Sequence, residues 1–304
     1  MTLALEQLLN GVQFGVMLFL LAAGLTLIFG IMGVINLAHG SLYMIGAYAA
    51  ALTVAKTGSF VLAVPVSLAV AAIAGLLIEF LVIRRLYARD HIQQVLATFG
   101  LILFLNEGLT IFVGRQPLLI GVPPALSGAV EIIPGVPYPV YRVVIIAVGL
   151  LVAAGLYLFI ANTRVGMLVR AGSTHRDMVR ALGVDIRLLY TIVFGLGALL
   201  AGLAGLMAGP LLAVQVGMGE QILILTFVVV VIGGVGSIRG AFFGALIVGV
   251  TDTLLRAFLP GLLRTVMTVS EADALAGGLS SMGIYFVMAL VLLIRPEGLF
   301  RAQG

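Results

Sequence analysis

Residues 7–55 read QLLNGVQFGVMLFLLAAGLTLIFGIMGVINLAHGSLYMIGAYAAALTVA, with no Asp, Glu, Lys or Arg between Gln7 and Ala55. A helix rises about 1.5 Å per residue and crosses the hydrocarbon core of a bilayer in about 20 apolar residues. The stretch is therefore long enough for two crossings. Its apolar residues are continuous rather than alternating, which suits helices and not a β-barrel.

The remainder of the chain has the same character. Of 304 residues 62% are hydrophobic and 9% charged, against about 25% charged in soluble domains, so the chain cannot cover a water-facing surface. Apolar runs lie at 8–30, 35–55, 60–83, 92–113, 142–161, 188–212, 222–238, 240–258 and 279–294. They predict one all-α polytopic membrane domain over residues 1–304, with roughly eight to nine transmembrane helices. No basic segment precedes the first run, so Gln7 onward is read as a span rather than a removable signal. As one helix, 222–258 would run about 55 Å. Gly233, Gly234, Gly236, Ser237 and Gly240 mark a helix break that divides it into two short spans, or a span and a re-entrant piece. Small residues every four positions, at Ala201, Gly205 and Gly209 and at Gly240 and Gly244, are read as helix packing.

Arginines orient the chain. Arg84, Arg85 and Arg89 follow the third run, and Arg164, Arg170, Arg176, Arg180 and Arg187 fill the loop at 162–187. With Arg239, Arg295 and Arg301 these are eleven of the 16 basic residues. The positive-inside rule makes their side cytoplasmic, so the N-terminus lies outside and the C-terminus inside. The opposite loop, about 114–141, carries Pro117, Pro123, Pro124, Pro134, Pro137 and Pro139. It is expected to form an ordered, turn-rich cap rather than a helix.

Several function classes drop out. There is no cysteine, hence no disulfide, thiolate metal site or cysteine nucleophile. The net charge of +4 belongs to arginines between spans, not to a nucleic-acid surface. Lys56 is the one lysine and follows Ala55 rather than a glycine loop, so there is no Walker A phosphate site. Gly234-Val235-Gly236-Ser237-Ile238-Arg239 fails the dinucleotide fingerprint at its last position. His39, His91 and His175 have no metal-ligand spacing, so no metal and no cofactor are expected. Any ATP that drives transport must be bound by other subunits.

Polar groups within the spans are few. Asn36-Leu37-Ala38-His39-Gly40-Ser41 reads as a break in the second helix lining a path for a polar solute. It reads equally well as a cytoplasmic turn capped by Asn36 and Ser41. Glu79 lies near enough to Arg84 for structural pairing, and Asp252 stands four residues before Arg256 as an intrahelical pair. Asn106 and Glu107 lie deeper and are path candidates. In the loop 162–187, Thr174 and Asp177 match a capping box and Gly183 a helix stop, bracketing about two turns. Met178 and Leu182 share one face of that helix, with Arg176 and Arg180 elsewhere. Such a helix would dock into a groove on a soluble partner or lie on anionic lipid, and the residues alone favour neither.

Three segments taken in order resemble one family. Asn36 to Tyr48 (NLAHGSLYMIGAY) resembles the second-helix signature of LivH-type permeases of branched-chain amino acid ABC importers. Thr163-Arg164-Val165-Gly166, Arg170-Ala171 and Ala181-Leu182-Gly183-Val184 resemble that family's cytoplasmic coupling loop. Val231 to Ala241 (VIGGVGSIRGA) resembles its late glycine motif, with Arg239 where many relatives carry proline, and Arg295 to Phe300 (RPEGLF) resembles its ending. The resemblance implies a permease of the bacterial inner membrane with no ATPase site of its own. Its partners would be a second, LivM-like permease chain, two cytoplasmic ATPases (LivG-like and LivF-like) and a periplasmic solute-binding protein. It implies that 174–183 is the coupling helix, with Arg170, Thr174, Asp177, Met178, Ala181, Leu182 and Gly183 at the ATPase contact. It also raises the path-lining reading of Asn36, His39 and Ser41, so the expected substrate path comprises Asn36, His39, Gly40, Ser41 and Tyr43, with Asn106 and Glu107 added for their depth. Solutes of the family extend to urea, amides and aromatic acids. An ion-coupled secondary transporter is the rival reading, and Glu107 would be its one deep carboxylate.

Overall fold

The computed structural model describes residues 2–300 apart from Pro134, His175 and Leu182. Those three and Arg301, all named above, lie outside the described residues, as do the side chains of Thr174, Arg176 and Asp177. The helices are α1 (Thr2–Met32), α2 (His39–Thr57), α3 (Phe60–Leu81), α4 (His91–Val113), α5 (Val140–Asn162), α6 (Arg164–Thr174) and α7 (Arg176–Ala181). They continue with α8 (Ile186–Ala208), α9 (Met218–Gly233), α10 (Ile238–Leu263) and α11 (Val269–Ile294). Among the described residues seven helices, α1, α3, α4, α5, α8, α10 and α11, are long and apolar enough to cross a membrane. The 19-residue α2 is more polar, and α9 has only 16 residues. The chain is an all-helical polytopic membrane protein, and 222–258 does divide, between α9 and α10.

Polar caps start the helices where the apolar runs begin. Ser59 accepts from Leu62 N–H at 3.3 Å, Asp90 from Gln93 N–H at 2.7 Å, and Asp185 from both Arg187 and Leu188 N–H. Each satisfies a backbone donor that the first helical turn leaves open. The last helix starts ten residues earlier than its apolar run, at Val269 rather than 279. The reason is a capping box: Thr268 accepts from Glu271 N–H and Glu271 accepts from Thr268 N–H.

At the centre α1 and α8 are the most enclosed of the long spans, and α4, α5 and α11 are the least. Glycine lets the inner helices touch. A Cβ on Gly46 of α2 would lie 2.5 Å from Gly202 Cα of α8, and one on Gly249 of α10 2.4 Å from Gly15 N of α1. Gly205 seats the Tyr43 carbonyl, so the regularly spaced small residues of α8 are packing positions.

One end of the bundle gathers Arg84, Arg85, Arg89, Arg164, Arg170, Arg180, Arg187, Arg239 and Arg295, at the adjoining ends of α3, α5, α8, α10 and α11. Contacts from Arg84 to Thr191, from Gln94 to Ile35 N–H and from Gly30 to Gly236 tie these ends together. The opposite end carries an antiparallel hairpin, β1 (Ala129–Ile133) with β2 (Val136–Pro139), after a short turn at 124–126. This loop is ordered and not helical, but the hairpin itself has no signal among its prolines. Tyr138 of β2 is buried and donates to Asn10 Oδ1 at 3.1 Å. Burial holds its phenol above the usual pKa.

Candidate functional site

The segment 33–38 is not helical; it turns back from the end of α1 into the start of α2. Backbone groups left open there are taken by α4: Gln94 Oε1 accepts from Ile35 N–H at 3.1 Å, and Thr98 Oγ1 from Leu37 N–H at 3.3 Å. Asn36 is wholly buried, its Oδ1 accepting from Ala38 N–H at 3.0 Å, while its Nδ2 has no partner among the described residues. His39 opens α2, also wholly buried, with Nε2 3.2 Å from the Leu21 carbonyl. A carbonyl only accepts, so Nε2 carries the proton and Nδ1 is left as an unpaired acceptor. The break thus precedes α2 instead of opening it. Gly40 sits in the first helical turn, and its backbone is not left-handed.

What Gly40 provides is an approach. Its added Cβ would stand 2.2 Å from the Gly219 carbonyl oxygen, and a Cβ on Gly219 would stand 2.2 Å from the Gly40 oxygen. The first turns of α2 and α9 therefore cross backbone against backbone. α9 begins after Gly217, a left-handed glycine at φ +88°. Ser41 and Tyr43 are buried on the same turn of α2. On the far side of Gly219, Glu220 accepts a hydrogen bond from Asn106 Nδ2 of α4. Glu220 and Glu107 are both exposed in the isolated chain. Asn36, His39, Gly40, Ser41 and Tyr43 thus form one cluster, whereas Asn106 and Glu107 stand apart on α4, with Asn106 bonded to Glu220 beside Gly219. Glu220 is absent from the sequence-based candidates because it lies at the edge of an apolar run; Gly219-Glu220 ahead of that run is the signal.

The late glycine motif forms a second tight crossing. Gly233 ends α9, Gly234 and Gly236 are left-handed, and Ser237 Oγ accepts from Gly240 N–H at 3.0 Å to start α10. Gly233 and Gly240 meet so closely that either Cβ would overlap the other's carbonyl group. The tail closes over this turn: Leu299 N–H donates to the Ile232 carbonyl at 2.9 Å and Phe300 N–H to the Gly233 carbonyl at 3.0 Å.

On the arginine-rich end, Arg164–Thr174 and Arg176–Ala181 are helical, so helix already runs ahead of Thr174, where a cap was expected. The loop thus holds more helix than the two turns expected, since residues 164–174 are too polar to register as an apolar run. Gly183 does stop α7, at φ +82° with its N–H on the Arg180 carbonyl. Val179 is buried beneath α7, while Met178 (63%) and Ala181 are exposed.

The structural pairs stand beside these features. Glu79 is wholly buried and takes Arg84 Nε at 3.1 Å and Nη2 at 2.9 Å, Tyr87 OH at 2.5 Å and Thr191 Oγ1 at 3.1 Å. Burial and the bond to Glu79 raise the Tyr87 phenol above its usual pKa. Asp252 pairs with Arg256 one turn on, at 2.8 Å. Both carboxylates are structural.

Residues 7–293 match the profile of a family described as the permease component of branched-chain amino acid transport systems. The high-affinity branched-chain amino acid permease protein BraD of Pseudomonas aeruginosa is 29% identical over 97% of this chain and 95% of its own length. LivH of Escherichia coli K12 is 27% identical over 97% of this chain and 94% of its own. LivM of the same organism is 29% identical over 92% of this chain and 67% of its own. No solved structure matches.

Proposed function

Since this chain belongs to the permease-component family of branched-chain amino acid transport systems, we propose that it is the transmembrane permease subunit of an ABC importer. It would move branched-chain or related amino acids across the bacterial inner membrane, using ATP hydrolysed by separate subunits. The observation that carries the reading is the family match across nearly the whole chain, which includes the α2 turn, the coupling loop and the late glycine motif. The absence of a phosphate-binding loop from the sequence supports the assignment of ATP to other chains.

The partners are a second homologous permease, two cytoplasmic ATPases and a periplasmic solute-binding protein. The likeness to LivM, the other permease named in such a system, supports a pair of related chains. Met178, Ala181 and Gly183 with Arg170, Thr174, Asp177 and Leu182 form the ATPase contact, supported by the exposure of Met178 above a buried Val179. The crossing of α2 and α9 is the closed point of the path. Unpaired polar atoms on Asn36 and His39 wait there for a hydrogen-bonding solute. Amino acids travel as zwitterions, so neutral groups suit a path that must release its cargo. Asn106, Glu107 and Glu220 would flank the path on the outer side. A carboxylate facing lipid there would cost several kcal/mol, so this face belongs to water or to the second permease.

The test is reconstitution. This chain alone in vesicles is expected to hydrolyse no ATP and to take up no solute under a gradient. The complex with its ATPases and binding protein is expected to import leucine only when ATP is inside. Proton- or sodium-driven uptake by this chain alone would overturn the importer reading.

A further inference from the structure

At the arginine-rich end, a cavity of about 500 Å³ opens between α1, α5, α6 and the start of α10. Its inner wall is apolar, with Leu27 and Ile31 from α1, Ile160 from α5 and Val169 from α6. Its rim is cationic. Arg239 is exposed, lies 5.2 Å from the Tyr157 ring centroid and donates to Tyr157 OH at 3.3 Å. Arg170 lines the cavity too, anchored by its bond to the Ile160 carbonyl. The N-terminus of the 26-residue α10 begins at the same rim and adds the positive end of its dipole. Deeper in the wall is Thr26, 1% exposed, whose Oγ1 has no partner among the described residues. It lies one helical turn, about 6 Å, further into the membrane than Gly30, which packs on Gly236.

We propose that this cavity binds an anionic phospholipid of the cytoplasmic leaflet. The phosphodiester sits at Arg239 and Arg170, an ester or glycerol oxygen reaches the Thr26 hydroxyl, and the acyl chains run outward along α5. Each layer of the cavity matches a layer of such a lipid: cationic at the headgroup level, one hydrogen-bonding group below it, and apolar walls below that. A soluble phosphate would use the arginines and leave the walls and Thr26 idle. α5 continues the apolar surface with exposed Leu158 and Leu151. Basic pockets at this level of a helical bundle attract acidic headgroups because the inner leaflet concentrates them.

The experiment uses the full chain with whatever subunits co-purify, delipidated in mild detergent and titrated with phosphatidylglycerol, phosphatidylcholine of equal chain length, or inorganic phosphate. Retained lipid is counted by native mass spectrometry and stability is read by thermal melting. Phosphatidylglycerol is expected to be retained preferentially and to raise the melting temperature, with phosphate alone giving no shift. Arg239→Gln is expected to weaken retention about fivefold, the size of one arginine at an anionic surface. Thr26→Val, which keeps the shape, is expected to weaken phosphatidylglycerol binding while leaving lipid-free melting unchanged. It thus guards against a loss caused by misfolding. Equal retention of the two lipids, a phosphate shift as large as the lipid's, or full retention by both variants would overturn the site. None of these readouts depends on transport, so the site and the importer assignment fail separately.

Discussion

Gly40 and Gly219 lie back to back, each leaving only 2.2 Å between an added methyl and the other's carbonyl oxygen. Any side chain at either position must push α2 and α9 apart. Gly40→Ala and Gly219→Ala should each cost about 1–3 kcal/mol, as overpacking of a tight contact does. Because both fill one gap, the double variant should cost less than the sum. Thermal melting and uptake by the reconstituted complex check this; unaltered uptake in both single variants would remove the crossing from the path.

Glu107 and Glu220 face away from the chain at span depth. In this cysteine-free protein, single cysteines at the two positions should react with a membrane-impermeant maleimide applied from outside, and binding protein should change the rate. Absence of labelling in the assembled complex, with labelling in the isolated chain, would assign the face to the second permease instead.

The bond from Asn106 to Glu220 joins α4 to α9. Removing a hydrogen bond to a charged group costs about 1.5–3 kcal/mol. Asn106→Ala is therefore expected to lower stability by up to that amount, and Glu220→Ala should add little once Asn106 is gone. A double-mutant cycle on melting measures it.

Glu79 holds Arg84, Tyr87 and Thr191 together. Glu79→Ala strands a cation and two hydroxyls at the arginine-rich ends of α3 and α8. Breaking a buried pair on one side costs about 3–5 kcal/mol, and partial exposure of Arg84 places this one at the low end. Membrane insertion should persist while the melting temperature falls by several degrees. Uptake by the surviving folded fraction should be close to normal, since none of these groups belongs to the proposed path.

Met178→Glu tests the coupling contact. A desolvated charge at an interface costs about 2–5 kcal/mol, so co-purification with the ATPases should fall while insertion is unaffected. Normal assembly and transport would mean that α7 rests on lipid.

The spans are legible in the sequence because hydropathy is a local property and runs of 20 apolar residues have few soluble alternatives. Glycines 233–240 are equally legible, as a break inside a run too long for one bilayer. Less legible is anything that depends on two distant segments meeting. Nothing near residue 219 says that its glycine answers Gly40, and nothing near Asn106 names Glu220. Helix α6 is missed because it is polar and amphipathic, and the early start of α11 because Glu271 and Asp273 dilute its apolar signal, although Thr268 and Glu271 already spell a capping box. The hairpin at 129–139 escapes because prolines in short strands look like turns alone.

The closure of α9 by residues 299–300 sets an order on biosynthesis. α9 is made and inserted before α10 and α11, yet the carbonyls of Ile232 and Gly233 gain their donors only when Leu299 and Phe300 emerge. Until then those two carbonyls at the C-terminal end of the 16-residue α9 have only water to accept from. The tail is therefore a clasp fastened last. A nascent chain halted before Leu299 should carry every span yet leave its late glycine turn open to protease, and a fusion joined directly after Glu297 should do the same.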